Sequence, residues 1–219
     1  MSHLLSKSRY IRGLQCERAL WLDAHCPSLA RYTREQMHRF DVGREFEYAF
    51  KAQFENGIDI SKELGRRVDD YPTLTSEMLR RSGEIVLFEA GFLCEDVLVL
   101  ADVVVKRADG TLDIYEVKSG TALSDTYRND AQIQYYVVSH CYDVNTFSIV
   151  YNDQGFKTVD LTADLQLSMA EVAANIKQMK SIVLTMEEPC TPTGVHCLQP
   201  YSCPYQHHCR QGTRQLALF

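Results

Sequence analysis

Charged residues interrupt two apolar segments near the middle of the chain. Asp102 lies within the segment VLVLADVVVK, and Glu116 and Lys118 end the segment LDIYEVK. A carboxylate buried among apolar neighbours is costly unless a partner compensates it. Side chains two residues apart in a strand project from the same face, so Glu116 and Lys118 are expected to act together. We therefore expect a cation to compensate the buried acids.

The types of these residues suit phosphate chemistry. Two carboxylates on adjacent strands offer the oxygen ligands that Mg²⁺ prefers, and Mn²⁺ accepts the same donors. The ammonium of Lys118 would then orient or help to activate an attacking water beside the cation. The alternative is a purely structural pair of Lys118 with Asp102 or Glu116 at a sheet edge. Spacing alone leaves both interpretations open.

Eight cysteines need a chemical role, because cytosolic thiols are kept reduced and disulfides there are rare. Cys197, Cys203 and Cys209 follow one another with five intervening residues in each gap. Cys16 can supply a fourth ligand, since its segment precedes the first long helix as the other three follow the last. Four thiolates match the ligand set of a 4Fe-4S cluster.

Zinc is the direct competitor for these cysteines. Structural zinc sites usually place paired ligands two to four residues apart, and no such pair of cysteines stands in the C-terminal segment. Three histidines nearby could serve as zinc ligands instead, namely His196, His207 and His208. Cys190 is a reserve ligand. The remaining cysteines have apolar neighbours and are expected to be small buried side chains: Cys26, Cys94 and Cys141.

The pattern of apolar residues predicts the elements that position both groups. Apolar spacing of three and four predicts helices, and short segments rich in β-branched residues predict strands. In chain order these are a helix at 33–54, strands at 84–90, 97–106 and 112–118, a helix at 130–140, a strand at 146–152 and a helix at 161–186. The turn at 108–110 joins two of the strands as a hairpin. This order predicts an α/β fold with a mixed sheet packed by helices.

Length and charge narrow the classes of function. The chain has 219 residues, of which 45% are hydrophobic, and no repeat or linker divides it. We expect one domain over 1–219, with a core at about 33–186, cluster-binding segments at about 6–26 and 187–212, and a tail at 213–219. No apolar run is long enough to span a membrane, so a cytoplasmic location is expected. A net charge of -6 argues against coating nucleic acid through bulk positive charge.

The spacing of the charged residues resembles a known nuclease core. Asp102, thirteen intervening residues and then Glu116-Val117-Lys118 are similar to the D...(D/E)xK core of the PD-(D/E)XK nuclease superfamily. The resemblance implies a restriction-endonuclease-like mixed sheet flanked by helices. It also implies DNA hydrolysis at Asp102, Glu116 and Lys118, with Val117 counted among the metal ligands.

Two further motifs resemble the RecB-like branch of this superfamily. The segment Gly43-Arg44-Glu45-Phe46-Glu47 is similar to a helical motif that ends in an acid or a histidine, which implies Glu47 as an additional metal or water ligand. The segment QIQYY is similar to the helical Q-x-x-x-Y motif and offers Gln132 or Gln134 together with Tyr136. The resemblance implies contacts of these side chains with Lys118 or with a strand-end phosphate. Ordinary positions on a helix surface are the alternative.

The cysteines resemble those of the four-cysteine exonucleases associated with CRISPR systems. Those proteins carry one N-terminal cysteine and three near the C-terminus around a 4Fe-4S cluster. The resemblance assigns the cluster to Cys16, Cys197, Cys203 and Cys209 and joins the two ends of the chain there. The gap between Cys203 and Cys209 fits that family. The gap before Cys203 is longer than is common there, so the assignment of Cys197 as a ligand is weaker than those of Cys203 and Cys209. The resemblance also implies that the substrate is single-stranded DNA ends and that the partners are DNA repair or CRISPR adaptation proteins.

The last five residues, Gln215 to Phe219, are similar to the Q-L-x-L-F peptide that binds the bacterial sliding clamp. An apolar terminus folded back on its own domain is the alternative. Two other functions remain open from the sequence. One is a catalytically idle DNA-binding or clamp-tethered subunit, and the other is an iron-sulfur or zinc redox module, which would leave Asp102 unexplained.

Overall fold

Two long antiparallel strands form the centre of the molecule. The structure is a computed structural model that describes residues 4–65 and 67–210, apart from the side chains of residues 39 and 40. Strand β3 (Ile85–Cys94) pairs with β4 (Val97–Lys106), and β5 (Leu112–Lys118) pairs antiparallel with β4. The predicted bounds of β4 and β5 are confirmed. β3 extends four residues past its predicted end, because its pairing with β4 continues to the turn.

The sheet is mixed and has seven strands. β6 (Val144–Asn152) runs parallel to β5, and β7 (Phe156–Asp160) runs antiparallel to β6. β2 (Ile58–Asp59) adds to the outer edge of β3. The path is β2-β3-β4-β5-β6-β7, and β1 (Leu5–Ser6) pairs with β4 off this path. Helices flank the sheet, so the predicted α/β class with a mixed sheet is confirmed.

The sheet opens between β4 and β5. These strands pair only where Val103 to Lys106 meet Leu112 to Tyr115. Beyond Tyr115, β5 continues alongside β6 alone, while β1 pairs with Val97 and Leu98 at the other end of the same β4 edge. Asp102 is therefore the first β4 residue past the pairing with β5. An opening between the two strands follows from this divergence.

Three long helices cover the two faces of the sheet. α3 (Arg34–Lys51) begins with a capping box of Thr33 and Gln36 and packs Phe50 against Val103 and Val117. α6 (Asp125–Ser139) and α7 (Thr162–Leu184) pack on the other face. All three were predicted. α6 begins five residues earlier than predicted, because Ser124 caps it by accepting a hydrogen bond from the Tyr127 amide.

Several short elements were not predicted from the sequence. α1 (Lys7–Gln15) and α2 (Glu17–His25) meet at Cys16, while α4 (Ile60–Leu64) and α5 (Tyr71–Leu79) pack against β3. None of these helices exceeds nine residues, so each shows too few turns for an apolar period to stand out. Across the described residues, no helix combines the length and apolar character needed to cross a membrane.

Candidate metal centre and cysteine cavity

Asp102 is held at the opening of the sheet by a backbone hydrogen bond. The amide of Val117 donates to Asp102 Oδ2 at 2.7 Å. That amide is available because β5 has already parted from β4 at this point. The divergence of two strands thus fixes the direction of one carboxylate.

Glu116 projects into the same opening and is almost fully buried. Its Oε1 accepts hydrogen bonds from Lys118 at 2.6 Å and from Lys7 at 2.8 Å. Its side chain is 1% exposed, and among the described residues its Oε2 is buried without a hydrogen-bond partner. A buried carboxylate oxygen without a partner is costly, which makes it a site where a ligand would be stabilising.

A second group of acids stands beside Asp102. One carboxylate oxygen from each of Glu47, Glu89 and Asp102 lies within 4.8 Å of the others. Lys51 donates to Glu89 at 2.6 Å and also bonds Glu47. Two oxygens on one Mg²⁺ lie up to about 4.2 Å apart, so this spacing is close to a ligand set. The structure therefore brings Glu47 next to Asp102, as the resemblance implied.

Glu89 is a further ligand candidate. Lys106, on the neighbouring strand, does not pair with it but donates to the carbonyl of Leu79 at 3.0 Å and to that of Arg81. The pairs on either side in the β3–β4 register, Phe88 with Val103 and Ala90 with Ala101, place Glu89 opposite Asp102. The hairpin register was the signal that could have found it. Glu89 also has a φ of 53°, a backbone conformation that is concentrated at functional sites.

The buried charges shift the acid–base properties of the group. Burial, followed by repulsion from Glu116, raises the pKa of Asp102 to about 7, and burial likewise raises the pKa of Glu89 to about 7. Burial alone would raise the pKa of Glu116, but Lys118 and Lys7 hold it far below its ordinary value. Burial would lower the pKa of Lys118, but Asp130 and Glu116 raise it well above 10.5. Lys118 therefore stays protonated at neutral pH.

The formal charges of the group do not balance. Its five carboxylates belong to Glu47, Glu89, Asp102, Glu116 and Asp130, and its three ammonium groups to Lys7, Lys51 and Lys118. When all are ionised, two negative charges remain, which is the charge that one divalent cation neutralises. The donor set, all oxygen, is the kind that Mg²⁺ and Mn²⁺ accept.

Helix α6 contributes a different residue from those expected. Asp130 contacts Lys118, and the Lys118 ammonium lies 5.7 Å from the centre of the Tyr127 ring. Of the expected residues, Gln134 is buried and donates to the Asp130 carbonyl, and Tyr136 packs beside His140, while Gln132 is half-buried. The expected contacts with Lys118 are thus not made, while contact with a strand-end phosphate stays a prediction. The helix runs away from the opening, and Tyr136 is about 9 Å further along it than Asp130.

The four predicted cysteine ligands line one cavity. Cys16, Cys197, Cys203 and Cys209 face it together with residues of the 191–193 loop, His196 and Gln206. Burial raises the pKa of the Cys203 and Cys209 thiols, and the neighbouring cysteines raise it further. Arg12 acts in the opposite direction on Cys203, and Arg18 on Cys209. The cavity thus gathers four potential thiolates and places two guanidinium groups near them.

The two ends of the chain are also joined by contacts that need no metal. Gln15 Nε2 donates to the carbonyls of His196 and Tyr201 at 2.7 Å each and to that of Gln199 at 3.2 Å. Trp21 packs with Tyr205 in a small apolar cluster that includes Cys203. These contacts position the cysteine segment against α1 and α2.

The other cysteines take no part in the cavity. Cys190 is exposed and is not among the residues that line it. Cys26 and Cys94 are half-buried, whereas Cys141 is exposed, so the expectation of a buried Cys141 is wrong. It follows α6 directly, where the chain turns at the surface. The predicted clamp-binding peptide lies outside the described residues.

Comparisons with known proteins do not place the chain in a family. No family model matches it, and no curated protein matches it. Among solved structures, the crystal structure of SSO0001 is similar over 72% of this chain and 100% of that chain, with 10% sequence identity and a TM-score of 0.26. A superposition this poor carries no argument about function. The function must therefore be argued from the geometry of the site.

Proposed function

We propose that this chain is a Mg²⁺- or Mn²⁺-dependent deoxyribonuclease that acts from single-stranded DNA ends. Glu116 carries the proposal, because its buried Oε2 has no hydrogen-bond partner among the described residues while its Oε1 has two. A structural salt bridge would leave no reason to bury an oxygen without a partner. The proposed architecture is the restriction-endonuclease-like core of the PD-(D/E)XK superfamily.

The residues that fit a divalent cation surround the opening between β4 and β5. Asp102 and Glu116 would hold it from the two diverging strands, with Glu47 and Glu89 on the side of α3 and the backbone of Val117 between them. When bound, such a cation supplies a water of lowered pKa and neutralises charge on a phosphate. The excess of two negative charges in this group supports the assignment.

Lys118 is proposed to act as a hydrogen-bond donor at the reacting phosphate. Its pKa is raised by Asp130 and Glu116, so at neutral pH it keeps its proton and is not the base. Its ammonium would orient the attacking water or stabilise the charge that grows on the phosphate oxygens. In the reaction, the oxygen of the attacking water bonds to phosphorus and gives up a proton to solvent, the phosphorus–oxygen bond of the backbone breaks, and the leaving oxygen takes up a proton from solvent.

A 4Fe-4S cluster is proposed for the cysteine cavity. A zinc ion binds thiolates at about 2.3 Å, which brings its sulfur ligands within about 3.8 Å of one another. In the described part of the chain, no three cysteine sulfurs lie within 4.8 Å of one another, although four cysteines line one cavity. A cluster separates its thiolate ligands more widely than one ion does, and the resemblance to the four-cysteine exonucleases is what favours it here. Its proposed role is structural, in joining the segments at 6–26 and 187–212 to the core.

The proposed setting is DNA repair or CRISPR adaptation in the cytoplasm, with proteins of those processes as partners. A tether to the sliding clamp through Gln215 to Phe219 is part of the same proposal. A peptide pull-down of the clamp with and without Leu218 and Phe219 tests that tether. Loss of binding on their removal is expected.

The activity is tested with labelled single-stranded DNA, Mg²⁺ or Mn²⁺, and four variants. Asp102→Asn and Lys118→Met should each lower cleavage by about 1,000-fold or more, since each removes a group that acts on the reacting phosphate or its cation. Asp164→Asn and Lys157→Met change exposed residues of the same types and should leave cleavage unchanged. Circular dichroism would show that all four variants fold.

Two results would contradict the proposal. Equal cleavage by the wild type and Asp102→Asn would remove the assignment of the site. A wild type that binds labelled DNA and cleaves none of it with either cation would favour the catalytically idle DNA-binding subunit instead.

A further inference from the structure

Lys7 is placed in the opening of the sheet by the strand that precedes it. β1 pairs with β4 through Leu5 and Ser6, and Lys7 is the first residue of α1. The Ser6 hydroxyl caps that helix by accepting from the amide of Arg9 at 3.3 Å. Strand pairing and the helix cap therefore fix the backbone of Lys7 at the edge of β4 that β5 leaves free.

The Lys7 ammonium touches the same carboxylate oxygen as Lys118. It lies 2.8 Å from Glu116 Oε1 and 3.9 Å from Asp130 Oδ2, and its side chain is 24% exposed. Glu116 Oε1 thus accepts from two lysines on different elements. Lys118 shares the strand of Glu116, whereas Lys7 reaches Glu116 from a separate helix.

The two lysines differ in the contacts that a bound substrate would require of them. An ammonium has three donors, and two of those of Lys118 already serve Glu116 and Asp130, which leaves one for the water or the phosphate. Lys7 contacts the same oxygen of Glu116, but its backbone belongs to β1 and α1 rather than to β5. It can keep Glu116 in place independently of Lys118.

We propose that Lys7 is a positioning residue of the nuclease, which holds Glu116 Oε1 so that Oε2 faces the cation while Lys118 donates to the substrate. This inference rests on the proposed function. Groups that orient metal ligands affect rate and affinity without touching the substrate. Lys7 is not part of the resemblance, since it lies about a hundred residues before the motif that it supports.

The far end of the same helix is anchored at the cysteine cavity. α1 is nine residues long, which is about 13 Å, and runs from Lys7 to Gln15, directly before Cys16. Gln15 holds three carbonyls of the cysteine segment. Lys7 therefore lies on a helix that is fixed at both ends, which helps to keep its ammonium beside Glu116.

The test compares kcat and KM of single-stranded DNA cleavage at saturating Mn²⁺ for the wild type, Lys7→Met, Lys7→Arg and Lys62→Met. Lys7→Met should lower kcat by about 10- to 100-fold and change KM by less than about threefold. Lys7→Arg keeps a charged donor at a partly exposed position and should recover kcat to within about fivefold of the wild type. Lys62→Met changes an exposed lysine on α4 and should match the wild type. Lys7→Gln serves as the neutral variant if Lys7→Met does not fold.

The outcomes separate this inference from the proposed function. If Lys7 only neutralised buried charge, saturating Mn²⁺ would supply that charge and the kcat of the neutral variant would stay within about twofold of the wild type, which would overturn the positioning role alone. The same holds if Lys7→Arg is as impaired as Lys7→Met. A wild type without metal-dependent cleavage would instead overturn the proposed function, and the role of Lys7 with it.

Discussion

The acidic opening and the cysteine cavity differ in what holds their residues together. The acidic opening gathers five carboxylates and three lysines and leaves Glu116 Oε2 without a partner among the described residues. Around the cysteine cavity, Gln15 hydrogen-bonds three carbonyls and Trp21 packs with Tyr205, although Arg12 Nε near it is also buried without a hydrogen-bond partner among the described residues. The first region carries an excess of negative charge when all its groups are ionised, whereas the second is held together by hydrogen bonds and apolar packing.

This difference suggests different roles for the two proposed metals. A cation in the acidic opening would relieve repulsion that the protein itself does not relieve, so its removal should act on catalysis and on the pH dependence of stability. A cluster in the cysteine cavity would add a covalent link between segments that already pack together. Its removal should act on the stability of the terminal segments.

The largest expected effect on stability is that of losing a cluster ligand. Cys203→Ser should remove the visible absorption of the cluster and lower the free energy of unfolding by about 3 kcal/mol, because a buried ligand and its metal link are lost together. The matched change Cys190→Ser affects an exposed cysteine outside the cavity and should alter neither. Anaerobic purification, a visible spectrum, iron and zinc analysis and thermal melting measure this. Finding zinc but no iron in the wild type would contradict the cluster and favour a zinc site instead.

The second effect concerns pH and the metal-free acidic opening. The folded-state pKa of Asp102 is raised from 3.8 to about 7, chiefly by burial. Between these values the folded state binds the extra proton, so the contribution of Asp102 to stability falls as pH rises through this window and stays low above it. Asp102→Asn mimics the protonated form, so its gain in Tm over the wild type should grow from near zero at acidic pH to about 5 °C above pH 7.

Thermal melting in a chelator from pH 4 to 8 checks this, with Asp164→Asn as the exposed control. Adding Mn²⁺ at pH 8 should raise the Tm of the wild type and raise that of Asp102→Asn less, because the variant lacks one anionic ligand. A Tm difference that does not depend on pH would show that Asp102 is ionised in the folded state throughout, against the repulsion inferred here.

The smallest effect is expected from the hydrogen bonds between the ends of the chain. Gln15→Ala removes the donor to three carbonyls and should lower the free energy of unfolding by about 1 to 2 kcal/mol while the cluster is retained. Gln178→Ala removes an exposed contact with Glu17 and should cost less than about 0.5 kcal/mol. Denaturant unfolding of both variants measures the difference. Loss of the cluster in Gln15→Ala would mean that these hydrogen bonds, rather than the cluster, set the shape of the cavity.

Much of the core could be predicted, because its elements carry strong local patterns. β4 and β5 are short and rich in β-branched residues, and both were predicted with their observed bounds. Asp102, Glu116 and Lys118 could be predicted to lie together, since they sit at fixed positions on neighbouring strands of one hairpin. The four cysteines that line the cavity were also predicted, from spacing and resemblance.

The remaining site residues could not be predicted, because their positions depend on contacts distant in sequence. Lys7 reaches Glu116 across 109 residues, and only the pairing of β1 with β4 puts it there. Glu89 could be placed at the site only from the register of the β3–β4 hairpin, and knowing that the hairpin exists was not enough. Asp130 lies on a predicted helix, but the direction in which that helix leaves the opening decided that Asp130 contacts Lys118 and Tyr136 does not.

The sequence by itself determined the α/β class, the central strands and the acids that interrupt them, because local apolar patterns and an alternating strand face are encoded residue by residue. Only the tertiary structure decided that the sheet opens beyond Tyr115, that Glu116 Oε2 lacks a partner, and that Lys7 and Lys51 join the site. These facts depend on which strands part and which helices pack at that point. Such choices are made by the balance of burial and charge over the whole fold, which no local pattern records.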